Sequence, residues 1–330
     1  MDTDPKNADG VLSIDELFGN FEFVESVGKG CFGRISKITD KRSGRHFSLK
    51  KVLLDSNYHN RELSILKAVK GQANLLQMNY FLLANVEKLK KRFQERLDKL
   101  SDLESQEYES LKSLDVKYSE VLYVLTKCYK QDLRSYILKS EFNLENVKLI
   151  TNSLVRGLHN LHSLGICHRD LKSENVLVDI ENKDVVIGDF GSAKDFSTKP
   201  GGISYICSRP YRAPELLLGH TEYSLEIDLW SLGCILFEIS SFKKERLFTG
   251  KENKSMLLQV IGLLGPPTES DLKEMKETRK IDVVSKIEKR DLRSLLDPRC
   301  DEASIAVIEG LLKWSPKQRT NLKSVIQATE

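Results

Sequence analysis

The sequence pattern changes from strand-like to helical partway along the chain, and that change limits the folds that the chain can adopt. The segments FEFVESV, RISKITD and RHFSLKKV, all before residue 53, read as strands bounded by glycine or polar turn residues. Further along, apolar side chains recur at helical spacing, at Val147, Ile150, Leu154, Leu158 and Leu161. The sequence therefore predicts an α+β fold with two lobes, a small strand-rich lobe over 21–130 and a larger, mainly helical lobe over 131–330.

Length and charge narrow the class of protein. The 330 residues suffice for two domains or one large two-lobed unit, and 40 % of them are hydrophobic. The net charge is only +3, so charge alone gives no reason to bind nucleic acid or a membrane surface. No apolar run is long enough for a transmembrane helix, and the N-terminus has no signal-peptide pattern. We expect a monomer in the cytoplasm, with the nucleus as a second compartment.

The six cysteines lie far apart and form no CxxC pair. A disulfide framework or a zinc cluster would require closer or paired spacing. We therefore expect reduced thiols in an intracellular protein, at Cys31, Cys128, Cys167, Cys207, Cys234 and Cys300.

Two segments depart from this two-lobe pattern. Residues 1–20 are polar, and we interpret them as a mobile tail. Residues 85–119 are highly charged but carry apolar residues at helical spacing, which predicts a solvent-facing helix or helical hairpin inserted between two strands. The insertion either decorates a turn or offers a docking surface for another protein. The apolar residues are Val86, Leu89, Phe93, Leu97, Leu100 and Leu103.

A glycine-rich motif joins the first two predicted strands. The run Gly28-Lys29-Gly30-Cys31-Phe32-Gly33 has the spacing GxGxxG. A dinucleotide-binding fold requires a helix directly after such glycines, whereas the RISKI segment that follows here reads as a strand. Residues without side chains let backbone amides approach phosphates closely. The context favours a hairpin that covers a nucleotide.

Lys50 lies on the third predicted strand and Glu62 on the helix after it. A lysine facing a glutamate in this way can hold the α- and β-phosphates of a nucleotide through an ion pair. Taken separately, the two residues are better explained as two surface charges.

Three further motifs follow in order along the chain. They are HRDLKSEN at 168–175, DFG at 189–191 and APE at 213–215. A carboxylate can accept a hydroxyl proton, while an amide and a second carboxylate supply the oxygen ligands that Mg²⁺ prefers. Over about residues 21–325 the sequence resembles a eukaryotic protein kinase. The resemblance implies the bilobal protein kinase fold, with an antiparallel sheet and one helix, αC, in the small lobe.

The resemblance also implies roles for individual residues, with ATP and Mg²⁺ as cofactors. Asp170 corresponds to the catalytic base and Lys172 to the contact with the γ-phosphate. Asn175 and Asp189 correspond to the metal ligands, and Lys50 with Glu62 to the pair that anchors the nucleotide. The implied ATP-binding residues are Val27, Gly28, Lys29, Gly30, Cys31, Phe32, Gly33, Ile35, Ser48, Lys50, Thr126 as gatekeeper, Lys127, Tyr129, Asn175 and Asp189.

Other positions match structural residues of the kinases. Glu215 is expected to pair with Arg319, and Asp228 to brace the catalytic loop. Ser208 stands where serine/threonine kinases place the hydroxyl that ties the base to the substrate. The form HRDLKxxN, rather than the HRDLAARN of tyrosine kinases, points to serine or threonine substrates.

Within the kinases, the sequence most closely resembles glycogen synthase kinase-3. The segments that carry this resemblance are GICHRDLKSEN, GDFGSAK and SYICSRPYRAPELLLG. It implies that Arg61, Arg169 and Lys194 converge on one phosphate beside the activation segment, and that Tyr205 is the phosphorylated tyrosine of that segment.

The residue expected to carry that phosphate differs in this chain. In cyclin-dependent kinases the phosphate sits on the enzyme's own threonine, whereas the matching position here is Ile203. Three neighbouring cations repel one another unless an anion fills the pocket. We expect a phosphate on the substrate, about four residues C-terminal to the target, to fill it. Alternatively, the cations hold Ser197, Thr198 or Ser204 after phosphorylation.

The predicted function is therefore a serine/threonine kinase with protein substrates primed by another kinase. Two alternatives remain. The first is a proline-directed kinase of the cyclin-dependent or MAP type. The second is a pseudokinase scaffold that binds partners through the 85–119 insertion. Pseudokinases usually lack one of the charged motif residues, and none is missing here.

Overall fold

The computed structural model of the protein describes residues 10–30, 33–55, 61–112, 118–197, 202–275, 287 and 289–329. The described residues fall into two compact units. One is drawn from residues 1–71 and 76–129, and the other from residues 72–75 and 130–330.

The first unit is built on an antiparallel sheet in which five strands follow the order β1-β2-β3-β5-β4. In the middle of the sheet, Lys50 of the third strand lies opposite Ile35 and Val124. This architecture confirms the predicted α+β class for the strand-rich part. The strands are β1 (Phe21–Gly30), β2 (Gly33–Asp40), β3 (His46–Asp55), β4 (Met78–Asn85) and β5 (Tyr118–Lys127).

The prediction of a mobile tail over residues 1–20 is wrong for residues 10–20. Helix α1 (Ile14–Asn20) begins at a capping box in which Ser13 and Glu16 exchange side chain–backbone hydrogen bonds. Leu17 and Phe18 on this helix are fully buried. The average composition of residues 1–20 is polar and does not show this apolar pair. Burial of the pair is enough to pack one helix against the core. Residues 1–9 lie outside the described residues.

Helix α2 (Arg61–Ala68) follows β3 and buries Glu62, Leu63, Ile65 and Leu66. The charged 85–119 segment contains two further helices, α3 (Val86–Gln94) and α4 (Asp102–Lys112), between β4 and β5. Asn85 caps the start of α3 by accepting the main-chain N–H of Lys88.

Most of the apolar stripe of this segment is buried rather than exposed to solvent, although Leu97 is 50 % exposed. Leu89, Phe93 and Leu111 are fully buried, and they share one core with Phe18 and Tyr123. The Phe18 ring lies edge-on to both Phe93 and Tyr123, at centroid distances of 5.2 and 5.9 Å. The α3–α4 hairpin and α1 therefore cover one face of the sheet.

The second unit is mainly helical. Its helix α8 (Glu226–Ser240) carries the sequence IDLWSLGCILFEIS, and residues 227–240 are all buried, as a helix that is apolar on nearly every side requires. Its strands are β6 (Gln131–Asp132), β7 (Ile166–Cys167), β8 (Val176–Asp179), β9 (Asp184–Ile187) and β10 (Lys194–Asp195), paired as β10-β7 and β6-β8-β9.

The helices of this unit are α5 (Leu133–Lys139), α6 (Leu144–Ser163), α7 (Pro214–Leu217), α8 (Glu226–Ser240), α9 (Asn253–Leu264), α10 (Glu269–Glu274), α11 (Leu292–Leu295), α12 (Glu302–Leu311) and α13 (Leu322–Thr329). Among the helices of the described ranges, none has the length and apolarity to cross a membrane.

Candidate active site

In the first unit, Lys50 and Glu62 form an ion pair. The Lys50 Nζ lies 2.6 Å from Glu62 Oε1, and both side chains are largely buried. The strand fixes Lys50 through its neighbours on β2 and β5, while α2 presents Glu62. The ammonium is therefore held at a set position on the sheet, where it can contact an anionic phosphate.

The glycine motif lies at the turn between β1 and β2, where Gly30 pairs with Gly33. A strand follows the glycines, so the dinucleotide-binding alternative does not apply to this motif. Gly28, Lys29 and Gly30 belong to β1, and Ile35 to β2. Val27 is 60 % exposed beside them. Cys31 and Phe32 lie outside the described residues.

Besides Lys50, three of the predicted ATP contacts lie on two neighbouring strands, and a fourth follows them. Ser48 of β3 lies opposite Thr126 of β5, and Thr126 is buried. Lys127 ends β5, and its ammonium lies 4.8 Å from the ring centre of Tyr129, the fourth of these contacts. The sheet thus brings Ser48, Thr126 and Lys50 into one group.

In the second unit, a buried carboxylate holds the HRD segment. Asp228 of α8 accepts the main-chain N–H of His168 at 2.7 Å and that of Arg169 at 2.9 Å. His162 contacts the same carboxylate at 3.0 Å. Burial by itself raises the pKa of Asp228, but the contacts with His162 and His168 outweigh it, and the pKa is lowered. The carboxylate therefore stays charged beneath the loop.

The backbone of this segment is irregular. Arg169 adopts a φ of 65°, a left-handed conformation that costs energy for a residue with a side chain. The ring of His168 is fully buried and contacts the carbonyl of Gly188 at 2.9 Å. These fixed contacts orient the next residue, Asp170.

Asp170 receives hydrogen bonds on both carboxylate oxygens. The main-chain N–H and the hydroxyl of Ser208 both donate to Oδ1 at 2.8 Å. The Lys172 ammonium donates to Oδ2 at 3.0 Å and lies 3.2 Å from the Ser208 hydroxyl. The structure thus brings Asp170, Lys172 and Ser208 into one cluster. A hydroxyl is already seated against the carboxylate, which is the chemistry a base that orients a hydroxyl requires.

Lys172 remains charged in this cluster. Burial alone lowers the pKa of its ammonium, but the Asp170 carboxylate, with Glu174 and Asp189, outweighs burial and raises it. A permanent cation beside Asp170 suits the stabilisation of a transferring phosphoryl group.

The β8–β9 hairpin brings Asn175 and Asp189 together. Val176 pairs with Ile187, so the residues on either side of this pair are neighbours, and the Gly188 N–H donates to the Asn175 carbonyl at 2.8 Å. The Asn175 amide nitrogen donates to the Asp170 carbonyl at 2.8 Å, which leaves the amide oxygen as the ligand atom. An amide oxygen from Asn175 and a carboxylate from Asp189 would together form a donor set that fits Mg²⁺.

Comparisons with known proteins agree with this geometry. A family model described as protein kinase domain matches residues 21–329. This chain belongs to the protein kinase family. The kinase is similar to Protein kinase MCK1 of Saccharomyces cerevisiae, at 35 % identity over 246 residues, which cover 73 % of this chain and 58 % of the yeast protein. It is also similar to Glycogen synthase kinase 1 of Pyricularia oryzae, at 32 % identity over 293 residues, which cover 89 % of this chain and 68 % of that protein.

These relatives confirm the resemblance to protein kinases of the glycogen synthase kinase-3 type. The match spans less than two thirds of the yeast protein's length.

The three cations of the predicted phosphate pocket lie on separate elements of the kinase. Arg169 is buried, and its Nε donates to the Ser192 carbonyl at 2.7 Å, while Nη1 lies 3.5 Å from the Tyr223 hydroxyl. Both of these oxygens are uncharged, so they leave the guanidinium charge available. Lys194 is on β10 and Arg61 is an exposed residue at the start of α2.

The activation segment exposes its tyrosine. Tyr205 is 69 % exposed, its hydroxyl accepts a hydrogen bond from Arg209 at 3.4 Å, and Arg212 lies 4.5 Å from its ring centre. Arg209 and Arg212 lower the pKa of the Tyr205 hydroxyl. Two guanidinium groups beside an exposed phenol would equally accommodate a phosphate there.

Glu215 and Arg319 form a buried, bidentate ion pair. Arg319 Nη1 lies 2.7 Å from Glu215 Oε1, and Nη2 lies 2.6 Å from Oε2. Arg319 also donates to the Glu226 carbonyl at the start of α8. The pair ties the APE segment to the C-terminal part of the kinase.

Sequence reasoning missed a polar network under the catalytic loop. The buried Glu238 of α8 accepts hydrogen bonds from the Tyr211 hydroxyl at 2.7 Å and the Ser173 hydroxyl at 2.8 Å. Arg134 lies 3.6 Å from the same carboxylate. Burial raises the pKa of Glu238 against the effect of these partners. The signal was available, since Glu238 is a charged residue within the apolar run that follows Asp228 on this helix.

Proposed function

We propose that this chain is an ATP-dependent protein kinase that transfers the γ-phosphoryl group of ATP to serine or threonine hydroxyls. The observation that carries the proposal is the arrangement around Asp170. Its carboxylate accepts a hydrogen bond from the Ser208 hydroxyl and forms an ion pair with Lys172. A group that can accept a hydroxyl proton therefore lies next to a cation that can contact the transferred phosphate.

The chain's own residues act mainly by positioning and electrostatics. Asp170 orients the attacking hydroxyl and accepts its proton. Lys172 balances charge that develops on the transferred group, and Lys50, held by Glu62, binds the nucleotide phosphates. Asn175 and Asp189 would hold Mg²⁺, which when bound neutralises the phosphate oxygens.

The proposal extends to substrates that already carry a phosphate. Ile203 is 68 % exposed in the activation segment and cannot be phosphorylated. Arg169 is engaged by uncharged oxygens, so its positive charge favours an anion supplied from elsewhere. The substrate class is a serine or threonine with a phosphoserine or phosphothreonine about four residues towards its C-terminus.

A matched pair of peptides tests both parts of this proposal. One peptide contains S-x-x-x-S and the other S-x-x-x-pS, and both are assayed with MgATP at steady state. We expect kcat/KM to be about tenfold higher for the primed peptide, equal to about 1.4 kcal/mol. The gain should be lost in Arg61→Ala and kept in Lys70→Ala, which removes a charge just after the same helix.

Each other outcome has a definite meaning. Equal turnover of both peptides would retain the kinase and reject the priming pocket. A requirement for proline after the target serine, with no gain from priming, would favour the cyclin-dependent or MAP type. Binding of ATP without turnover on a degenerate peptide library would favour the pseudokinase alternative.

Monomeric state, residence in the cytoplasm and nucleus, and partner docking at residues 85–119 remain part of the proposal. Size-exclusion chromatography with light scattering tests the first, and imaging of a tagged chain tests the second. Crosslinking from residues on the exposed side of the α3–α4 hairpin tests the third.

A further inference from the structure

Strand β3 carries two adjacent lysines that are held from opposite sides. Successive side chains of a strand point to opposite faces of the sheet. Lys50 pairs with Glu62 of α2, and the next residue, Lys51, pairs with Glu107 of α4. The Lys51 Nζ lies 2.5 Å from Glu107 Oε1, and both side chains are nearly nine-tenths buried.

Glu107 is the centre of a small polar cluster between the α3–α4 hairpin and the sheet. It accepts a hydrogen bond from the Tyr123 hydroxyl at 2.5 Å, and Lys51 also donates to Ser110 at 2.7 Å. Burial, and then the charge of Glu107, raises the pKa of Tyr123 well above its usual value. The phenol therefore remains protonated and donates, while Glu107 remains the acceptor.

The cluster lies where it can set the position of β3. Tyr123 is directly opposite Lys51 in the β3–β5 pairing. Glu107 therefore contacts two neighbouring strands at paired positions. Leu49, two residues before Lys51, is buried in the core that contains Leu89, Phe93 and Leu111 of the hairpin. The residues on either side of Lys50 in the strand, Leu49 and Lys51, are therefore both held by contacts on this face of the sheet.

We propose that Glu107 is a positioning residue for Lys50: through Lys51 and Tyr123, the α3–α4 hairpin fixes β3 from the face opposite α2 and thereby places the Lys50 ammonium for nucleotide binding. The readout through turnover rests on the proposed kinase function, whereas the readout through nucleotide affinity requires only that the chain binds ATP.

Glu107→Gln tests this assignment, because glutamine keeps the shape of the side chain and removes its charge. The control is Glu109→Gln on the same helix, where an exposed glutamate pairs with Lys112 at 2.7 Å. The dissociation constant of MgATP is measured by direct titration without peptide, and KM for ATP, KM for peptide and kcat are measured at steady state. All assays are run well below the unfolding temperature of each variant.

We expect Glu107→Gln to raise the dissociation constant and the KM for ATP by about fivefold or more, since small displacements of a binding group are costly. The KM for peptide should stay within about twofold of the wild type, because the peptide does not contact β3 in this proposal. Glu109→Gln should match the wild type in every parameter.

A double variant separates positioning from loss of folding. Lys51→Gln with Glu107→Gln removes both charges and keeps a polar pair, so ATP affinity should recover towards the wild type. If Glu107→Gln lowers the melting temperature but leaves ATP affinity and KM for ATP unchanged, the residue is structural and the proposal is wrong. If the wild type binds ATP but transfers no phosphate, the proposed function fails while the affinity test of Glu107 stands.

Discussion

The two units hold their functional charges in different ways. Lys50 sits on a regular strand whose backbone hydrogen bonds are satisfied by β2 and β5, so only side chains are needed to orient its ammonium. Asp170 follows an irregular segment with a left-handed residue, and the main-chain N–H groups of His168 and Arg169 in that segment donate to a side chain rather than to the backbone of a strand or helix.

The buried Asp228 supplies the acceptor for these main-chain N–H groups. Its carboxylate accepts two consecutive main-chain N–H groups, and a charged acceptor is strong enough to hold a backbone that is otherwise unfavourable. In this protein the charged group on the strand is thus fixed by an ion pair between side chains, and the one on the loop by a buried charge that binds the backbone. Three substitutions test this difference, and a fourth, at a helix cap, gives the scale of a small effect.

The largest effect is expected from Asp170→Asn. The amide cannot accept a proton from the substrate hydroxyl, so kcat should fall about 10³-fold, while the Ser208 contacts keep the loop in place. Steady-state phosphorylation of the primed peptide measures the fall. The control is Glu181→Gln, which removes an exposed charge paired with Lys130 at 2.7 Å. Full turnover in Asp170→Asn would contradict the role of Asp170 as base.

Asp228→Ala should lower the stability of the loop rather than remove a group that takes part in the reaction. It leaves two buried N–H groups and His162 without their acceptor, so the free energy of unfolding should fall by about 3 kcal/mol. Urea denaturation followed by circular dichroism measures it. Asp228→Asn keeps one acceptor oxygen and should cost less. Equal stability of Asp228→Ala and the wild type would show that the loop does not depend on this carboxylate.

Lys50→Met removes the charge from the strand and leaves the sheet pairing intact. We expect kcat/KM for ATP to fall about 10²-fold, from lost phosphate contact, with a smaller loss of stability than in Asp228→Ala. Lys37→Met is the control on neighbouring β2, because Lys37 pairs only weakly with Glu25, at 3.7 Å. A loss of stability equal to that of Asp228→Ala would remove the contrast between strand and loop.

The smallest effect is expected at Asp301, a carboxylate to which no catalytic or binding role is assigned. It caps α12 through the Ser304 N–H at 2.9 Å and pairs with Lys148 at 2.6 Å. Asp301→Ala should lower the free energy of unfolding by about 1 kcal/mol.

The pH dependence of this effect has a fixed sign. The Lys148 contact, with the Ser304 contacts, lowers the pKa of Asp301 to about 2. A lowered pKa means that the carboxylate stabilises the fold above its ordinary pKa of 3.8, and that the gain is lost as pH falls towards 2. The difference between wild type and Asp301→Ala should therefore be constant from pH 5 to 7 and shrink on acidification. A difference that grows at low pH would contradict the assignment.

Much of this protein was predictable from sequence because its chemistry is written in short motifs. Asp170, Lys172 and Asn175 lie within six residues of one another, so their grouping needs only a local turn. The Lys50–Glu62 pair was harder, since either residue alone reads as a surface charge. The error at residues 10–20 has the opposite cause: two buried residues, Leu17 and Phe18, outweigh a polar average once a core is available to receive them.

The sequence by itself determined the change from a strand-rich to a helix-rich region, the motifs and the class of chemistry, because periodicity and local spacing act over a few residues. Only the tertiary structure decided which distant groups meet. Asp228 is 60 residues from His168, and Glu107 is far along the chain from Lys51, yet each pair is in contact. A buried charge is tolerated only beside a partner, and which partner is near depends on packing rather than on sequence distance.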